Sequence, residues 1–218
     1  MRLTTGELTC FNSMLDPTPI LGFHGSEHAK EEKEVNSTIE SLKIHEFLDE
    51  KGQPNKKFVL GVELLKRYKQ ARKHLIINDY RIAVIEKQPY IIILNRIGHE
   101  WELELQSKIG FFKSLVTTND FLTRPKMEDM KKARFLVQKR WMDSILKQKI
   151  GRFIWIQVIV RGRAKEPIII YEQNGTSYMY DSKKERLIED DIASMQIMLA
   201  NVLEIPVEKG EIKRGWNN

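Results

Sequence analysis

The chain of 218 residues carries 36 lysines and arginines and 30 aspartates and glutamates, which gives a formal net charge of +6. With 41% hydrophobic and 30% charged residues, it has the composition of a folded globular protein, and a disordered chain is excluded. The single cysteine, Cys10, excludes an internal disulfide and a cysteine-based zinc site, and it favours the reducing cytosol.

The start of the chain and its hydropathy bear on localisation. Residues 1–7 lack the apolar core of a secretory signal. No apolar run approaches the ~20 residues that a membrane-spanning helix needs. We therefore expect a cytoplasmic protein that does not insert into membranes.

Three helices are predicted in the first third of the chain. Thr4 and Glu7 stand at the spacing of a capping box, so a short helix begins there. A longer helix is predicted over residues 27–49. Asn55 is the expected N-cap of a third helix over residues 56–73, after a clear break.

An antiparallel meander is predicted next. Its three β-rich runs cover residues 80–87, 90–97 and 100–106, and a short strand at 74–78 leads into them. Tight turns at Gln88-Pro89 and Gly98-His99 separate the runs, and connections this short join only antiparallel neighbours. Residues 90–94 are apolar without alternation, which predicts a strand covered on both faces.

The middle of the chain is basic. A short helix is predicted over residues 109–116, and apolar residues at helical spacing predict a long helix over 127–147. The apolar stripe of the long helix is Met130, Ala133, Val137, Trp141 and Ile145. Residues 126–149 hold eight lysines or arginines against three acidic residues. A solvated helix face and an acidic or nucleic-acid partner are both consistent with that excess.

A second meander and a closing helix follow. Strands are predicted at residues 151–160, 166–171 and 176–180, the last two joined by Asn174-Gly175, a strong hairpin signal. A helix is predicted over 189–203, and residues 207–218 form a polar C-terminal tail.

Each half of the chain therefore places a helix before an antiparallel meander. This order predicts an α+β fold with a central antiparallel β-sheet, built from two pseudo-symmetric helix–meander halves and flanked by helical bundles. Residues 1–206 are expected to form a single domain, with halves of about 1–116 and 117–206.

Catalytic patterns do not emerge from the sequence. It has no glycine-rich phosphate loop, no nucleophile elbow and no zinc-protease motif. His24 and His28 are four residues apart, but a glycine intervenes and no third ligand is evident. We expect no enzymatic activity, no cofactor and no bound metal.

Five segments carry a resemblance to a known family. They are residues 3–8 (Leu-Thr-Thr-Gly-Glu-Leu), 47–52 (Phe-Leu-Asp-Glu-Lys-Gly), 151–152, 174–178 and the closing helix. Over roughly residues 3–204 the chain resembles the EspG family, cytosolic chaperones of type VII (ESX) secretion systems. It looks most like the shorter members of low-GC Gram-positive bacteria.

This resemblance implies a non-enzymatic chaperone or adaptor. It implies a central antiparallel sheet with helical bundles, and a partner that is a helical-hairpin secretion substrate kept soluble until export. Mycobacterial members recognise PE–PPE pairs. Because this chain is shorter and more basic, a WXG-like or LXG-type client is the other option, and a secretion ATPase complex is a further potential partner.

Candidate partner-binding residues come from their expected positions near the ends of the meanders, because the resemblance fixes no contact residue. They are Gln88, Pro89, Tyr90, Phe111, Phe112, Trp155, Met195 and Met198. A few aromatic anchors of this kind would hold a docked helix. For each residue, a place in the core is the alternative.

A nucleic-acid-binding protein is the alternative function, and an unrecognised hydrolase is the third. The basic segment 126–149 and a sequence pI near 9.2 favour nucleic acid. Aromatic residues also interleave with basic ones, although half of them are expected to face the core: Trp155, Tyr171, Tyr178 and Tyr180 beside Arg161, Arg163 and Lys165.

Overall fold

The fold is that of a computed structural model, which describes residues 1–16, 18–21, 23, 32–123, 134–136, 142, 152–189 and 192–206. The chain divides into two compact units. The first comprises Met1–His74 and Asp79–Gln106, and the second comprises Leu75–Asn78 and Ser107–Asn218. The division after Gln106 comes ten residues before the expected boundary at 116, so the helix that follows belongs to the second unit.

The first unit has three helices: α1 (Thr5–Ser13), α2 (Glu32–Ile44) and α3 (Lys56–Gln70). The predicted capping box is confirmed, because the Thr4 hydroxyl accepts from Glu7 N and Thr4 N donates to Glu7 Oε2 at 2.7 Å. Asn55 caps α3 as predicted, and its side chain accepts from two backbone N–H groups. Residues 24–31, which include the predicted start of α2 and both His24 and His28, lie outside the described residues.

Two glycines let α1 pack closely against its neighbours. A Cβ at Gly6 would stand 2.7 Å from Thr38 Oγ1 of α2. A Cβ at Gly61 of α3 would stand 2.4 Å from Cε2 of Phe11. Phe11 is fully buried between Phe47 and Phe58, with edge-on ring centroids 5.3 and 4.9 Å away. This aromatic cluster is the centre of the helical part of the unit.

The connection between α2 and α3 is held by its own hydrogen bonds. Leu48 and Pro54 form an isolated antiparallel bridge, and Gln53 N donates to Asp49 Oδ1 at 2.8 Å. Lys57 Nζ donates to the carbonyl oxygen of His45 at 2.6 Å, across the ends of the connection. These contacts fix the segment 47–52.

The strands of this part of the chain are β1 (Arg2–Leu3), β2 (Lys73–Ile77), β3 (Tyr80–Val84), β4 (Tyr90–Ile97) and β5 (Glu100–Ser107). Within the first unit their order is β1-β5-β4-β3, so the predicted meander is confirmed. Ile91, Ile92, Ile93 and Leu94 are at most 4% exposed, which confirms a strand covered on both faces. The edge strand β1 was not predicted, because two residues carry no periodicity. Of β2, Lys73 and His74 belong to the first unit, and its other residues, 75–77, belong to the second.

The second unit contains α4 (Lys108–Thr118), a 3₁₀ turn (Asp120–Leu122) and α5 (Ile192–Val202). Its further strands are β6 (Arg134–Leu136), β7 (Phe153–Val160), β8 (Arg163–Ala164), β9 (Ile168–Gln173), β10 (Thr176–Asp181) and β11 (Arg186–Glu189). They run antiparallel in the order β7-β9-β10-β11-β6, with β8 paired to β7. The predicted hairpin is confirmed, since Asn174 and Gly175 have φ values of 53° and 80°.

The predicted helix over 127–147 is wrong at residues 134–136. These residues form β6, which pairs with β11 so that Leu187 opposes Phe135. Met142 is helical and buried. The stripe residues Met130, Ala133, Val137, Trp141 and Ile145 lie outside the described residues. Strand β11 was not predicted, and it ends at Glu189, where the closing helix had been expected to begin.

Both units combine antiparallel strands with helices, so the predicted α+β class is confirmed. Among the described residues, no helix has the length and apolar character needed to cross a bilayer. The predicted polar tail, residues 207–218, lies outside the described residues.

Candidate partner-binding surface

Three of the predicted partner-binding residues are buried in the second unit. Phe111 and Phe112 on α4 are 4% and 1% exposed, and Met195 on α5 is fully buried. The Ser107 side chain caps α4 by accepting from Gly110 N at 3.0 Å, which sets the start of the helix and thus its buried face. These side chains belong to the core and present no surface to a partner.

Two further predicted residues of the second unit, Trp155 and Met198, are half-buried. Trp155 is fixed by its backbone, because its N–H donates to Asn78 Oδ1 at 2.8 Å and its carbonyl accepts from Asn78 N at 3.0 Å. Its side chain packs against a cluster that includes Tyr171 and Tyr180. Trp155 is therefore largely a packing residue.

The aromatic residues on these strands share one face of the sheet. Tyr171 pairs directly with Tyr178, while Trp155 and Tyr180 both oppose Ile169. Tyr171 and Tyr180 are buried, and the Tyr171 and Tyr178 rings stack at 5.2 Å. Burial raises the pKa of Tyr171 to about 12. Because these rings stack on each other, this face offers little ring surface for nucleobases.

The three remaining predicted residues lie at the turn between β3 and β4 in the first unit. Gln88 and Pro89 are exposed, and Tyr90 is half-buried. The hydroxyl of Tyr90 accepts a hydrogen bond from Arg67 Nη1 at 3.3 Å. This contact joins the predicted turn to the outer face of α3.

The outer face of α3 carries an apolar pair. Val59 and Leu60 are 61% and 55% exposed, although the opposite face of the helix is buried. Glu63 Oε1 and Arg67 Nε form an ion pair at 2.9 Å. The hydrogen bond from Arg67 lowers the pKa of the Glu63 carboxyl. We call these residues together with Tyr90 the α3 strip: Val59, Leu60, Glu63, Arg67 and Tyr90.

The sequence contains a signal for the apolar part of the α3 strip. A core face through Phe58, Leu65 and Tyr68 leaves Val59 and Leu60 on the outside of the same helix. Two adjacent apolar residues outside the core face of a charged helix form a small exposed apolar patch. The position of Tyr90 next to this face required the three-dimensional structure.

A carboxylate, an imidazole and a hydroxyl meet in the first unit, at Glu7, His45 and Ser41. Glu7 is fully buried, its Oε1 accepts from Ser41 Oγ at 2.8 Å, and His45 Nδ1 lies 2.9 Å away. In a nucleophilic dyad the hydroxyl bonds the imidazole. Here the hydroxyl and the imidazole both bond the carboxylate, so the arrangement ties α1 to α2 instead of activating a nucleophile.

The described residues include no group of three or more His, Cys, Asp or Glu side chains placed to hold a metal ion. Residues 2–211 match the model of the DUF5081 family, described as a domain of unknown function. No curated protein matches the chain. Since the family match spans nearly all of its length, the chain belongs to the DUF5081 family.

Proposed function

We propose that this protein is a non-enzymatic cytosolic chaperone or adaptor that binds a helical type VII secretion substrate and keeps it soluble for export. The observation that carries the proposal is the exposure of Val59 and Leu60 on a helix whose other face is buried. The resemblance to EspG chaperones supplies the class of partner. A helical hairpin has an apolar surface that matches such a strip.

The α3 strip has suitable dimensions for a docked helix. Val59 and Arg67 are eight residues apart, which is about 12 Å along the helix axis. Tyr90 adjoins Arg67 through their hydrogen bond. A client helix packed along α3 would contact apolar anchors at one end and an aromatic ring at the other. Full burial of each anchor is worth about 1.5–3 kcal/mol.

The segments that carry the resemblance also hold the helices of the first unit in place. The segment 3–8 contains the capping box and Gly6, which packs on Thr38 of α2. The segment 47–52 begins with Phe47, which packs edge-on against Phe11. The resemblance therefore includes residues that position α3 through α1.

The test is co-purification with a helical-hairpin protein encoded beside the gene for this chain. We expect one complex on size-exclusion chromatography and a measurable Kd by calorimetry. The double substitution Val59→Glu with Leu60→Glu places two charges in the contact and is expected to weaken binding by about 100-fold or more. An unchanged Kd for this variant would exclude the α3 strip as the binding surface.

A matched control exists on α4, where Lys113 and Ser114 are adjacent and exposed. Lys113→Gln with Ser114→Glu changes the net charge by the same two units and is expected to retain full binding. Thermal unfolding of both variants checks the fold. If none of the neighbouring helical hairpins forms a complex with the wild-type chain, the chaperone proposal is wrong.

The nucleic-acid alternative is tested in the same preparation. Of the basic segment 126–149, only residues 134–136 and 142 are described. Titration with single-stranded DNA at two salt concentrations gives a clear result, because phosphate contacts release counterions and the affinity falls steeply with salt. A steep fall together with no hairpin complex would favour the nucleic-acid function.

A further inference from the structure

Two arginines of the first unit converge on one tryptophan. The guanidinium carbon of Arg81 lies 5.7 Å from the ring centroid of Trp101, and that of Arg96 lies 6.0 Å away. Trp101 is 6% exposed, and Phe23 packs edge-on against it at 5.3 Å. Arg81 opposes Leu94, two residues before Arg96 on β4, so both arginines lie on the same face of the sheet, and the negative face of the indole attracts both cations. We call Arg81, Arg96 and Trp101 the arginine–tryptophan site.

Among the described residues, each of the two arginine side chains donates a single hydrogen bond. Arg81 Nη1 donates to the carbonyl of Asp79 at 3.1 Å, and Arg96 Nε donates to the carbonyl of Gly98 at 3.2 Å. Each guanidinium has five N–H donors. Within the described part of the chain, neither arginine takes part in an ion pair. Arg96 is exposed and Arg81 is half-exposed, so the remaining donors are accessible.

A buried hydroxyl also lies within electrostatic range of Arg81. Tyr68 is fully buried, and its hydroxyl has no hydrogen-bond partner among the described residues. Burial raises the pKa of Tyr68, and the charge of Arg81 opposes that rise.

We propose that the arginine–tryptophan site binds a carboxylate side chain of an acidic protein segment. A carboxylate matches the fork of a guanidinium with two parallel hydrogen bonds. It would also relieve the repulsion between the two cations that Trp101 holds together. The inference rests on the geometry of the first unit and stands whether or not the partner is a secretion substrate.

The surroundings favour a single carboxylate over a polyanion. Trp101 is almost buried, so it offers no ring face on which a nucleobase could stack. Glu100 and Glu102 flank Trp101 in β5, and Asp79 stands two residues before Arg81. These acidic residues add negative charge around the site, which disfavours a run of phosphates more than a single carboxylate.

The test follows the Trp101 indole and arginine Nε–H signals of the ¹⁵N-labelled full chain by NMR. The probe is a capped twelve-residue alanine–leucine peptide with two glutamates four residues apart, and the comparison peptide has glutamines in their place. The glutamate peptide is expected to shift the signals of Trp101 and Arg96 saturably, and the glutamine peptide is not. Equal shifts with both peptides, or none with either, would overturn the proposal.

Variants locate the binding. Arg81→Gln with Arg96→Gln is expected to weaken binding of the glutamate peptide by about tenfold or more. Arg81→Lys with Arg96→Lys should weaken it less, because lysine keeps the charge but cannot form two parallel hydrogen bonds with a carboxylate. Lys51→Gln with Arg72→Gln removes two exposed charges of the same unit and should leave the affinity within about twofold. If both pairs of glutamine substitutions weakened peptide binding equally, the effect would depend on net charge alone, and the proposed site would be wrong.

Titration with other anions distinguishes a carboxylate site from a phosphate site. Inorganic phosphate and a single-stranded oligothymidylate are titrated at matched ionic strength. Both are expected to shift the Trp101 signal less than the glutamate peptide at equal concentration. Tighter binding of either, abolished by Arg81→Gln with Arg96→Gln, would show a phosphate site and overturn the carboxylate assignment.

Discussion

His45 Nδ1 lies 2.9 Å from Oε1 of Glu7, a carboxylate that is fully buried although it belongs to the first turn of α1. The same carboxylate accepts from Thr4 N and from Ser41 Oγ. One side chain therefore caps α1 and ties it to α2. The sequence predicts the capping box, but it does not predict the contacts of Glu7 with Ser41 and His45.

Replacement of Glu7 should lower the free energy of unfolding. Glu7→Ala removes the reciprocal cap and leaves two donors without their acceptor, so we expect a loss of about 2–3 kcal/mol in the free energy of unfolding. Glu7→Gln retains one acceptor oxygen and should lose about half as much. Chemical denaturation gives both values. Glu104→Ala, at an exposed position on β5, is the control, and equal losses at both sites would contradict this role.

The close approach at Gly61 makes alanine unfavourable there. Alanine normally stabilises a helix relative to glycine by about 1 kcal/mol. At Gly61 the added Cβ would lie 2.4 Å from the Phe11 ring, so overpacking should exceed that gain and leave a net loss of about 1–2 kcal/mol. Thermal and denaturant unfolding measure the loss.

A double mutant separates the two effects at Gly61. Phe11→Leu gives the new methyl group space, so the cost of Gly61→Ala should be smaller in that background. Gln70→Ala on the exposed face of α3 is the control for helix propensity. A Gly61→Ala variant with a higher melting temperature than the wild type would contradict the expected overpacking against Phe11.

The buried hydroxyl of Tyr68 should contribute nothing to stability. It has no partner among the described residues, so Tyr68→Phe removes a group that was desolvated without compensation. We expect the free energy of unfolding to stay constant or rise by up to about 1 kcal/mol. Tyr68→Leu, which loses the ring contact with His74, should cost about 1–3 kcal/mol. A clear loss in Tyr68→Phe would reveal a bound water molecule at the hydroxyl.

Acid stability should depend on Asp16. Hydrogen bonds from Thr18 and then Lys69 lower the pKa of its carboxyl to about 2. Because this value lies below the ordinary 3.8, the unfolded chain binds the proton first as the pH falls. The contribution of Asp16 is therefore complete above about pH 4 and is lost towards pH 2.

Substitution of Asp16 tests this dependence. Asp16→Asn should flatten the decline of stability between about pH 4 and pH 2, as followed by denaturant unfolding at each pH. Lys69→Gln should flatten it partly, since the hydrogen bonds from Thr18 remain. An unchanged acid profile in Asp16→Asn would show that other groups control it.

Local signals in the sequence predicted much of the fold. Thr4 with Glu7, Asn55 and Asn174-Gly175 each specify a cap or a turn through nearby backbone groups, and all three are confirmed. The unbroken apolar run of β4 likewise indicated a doubly covered strand. These features depend on residues that are close in sequence, so the sequence alone contains them.

Long-range pairing explains what was missed. Residues 134–136 lie within a helical pattern, but they pair with β11, whose four residues carry no strong strand signal. Long-range packing also decides where the candidate partner-binding residues lie. Phe111, Phe112 and Met195 are apolar residues of the kind that bind partners, and only the packing of α4 and α5 shows that they are buried.

The hydrogen-bonded connection between α2 and α3 has a practical consequence for labelling the protein. A fluorophore or affinity epitope inserted between Leu48 and Pro54 would break their bridge and displace the start of α3. The turn at Arg161-Gly162 between β7 and β8 is exposed, and a Cβ on Gly162 would meet nothing within 4 Å. That turn is the better insertion point for a reporter, because it leaves the helices next to the α3 strip untouched.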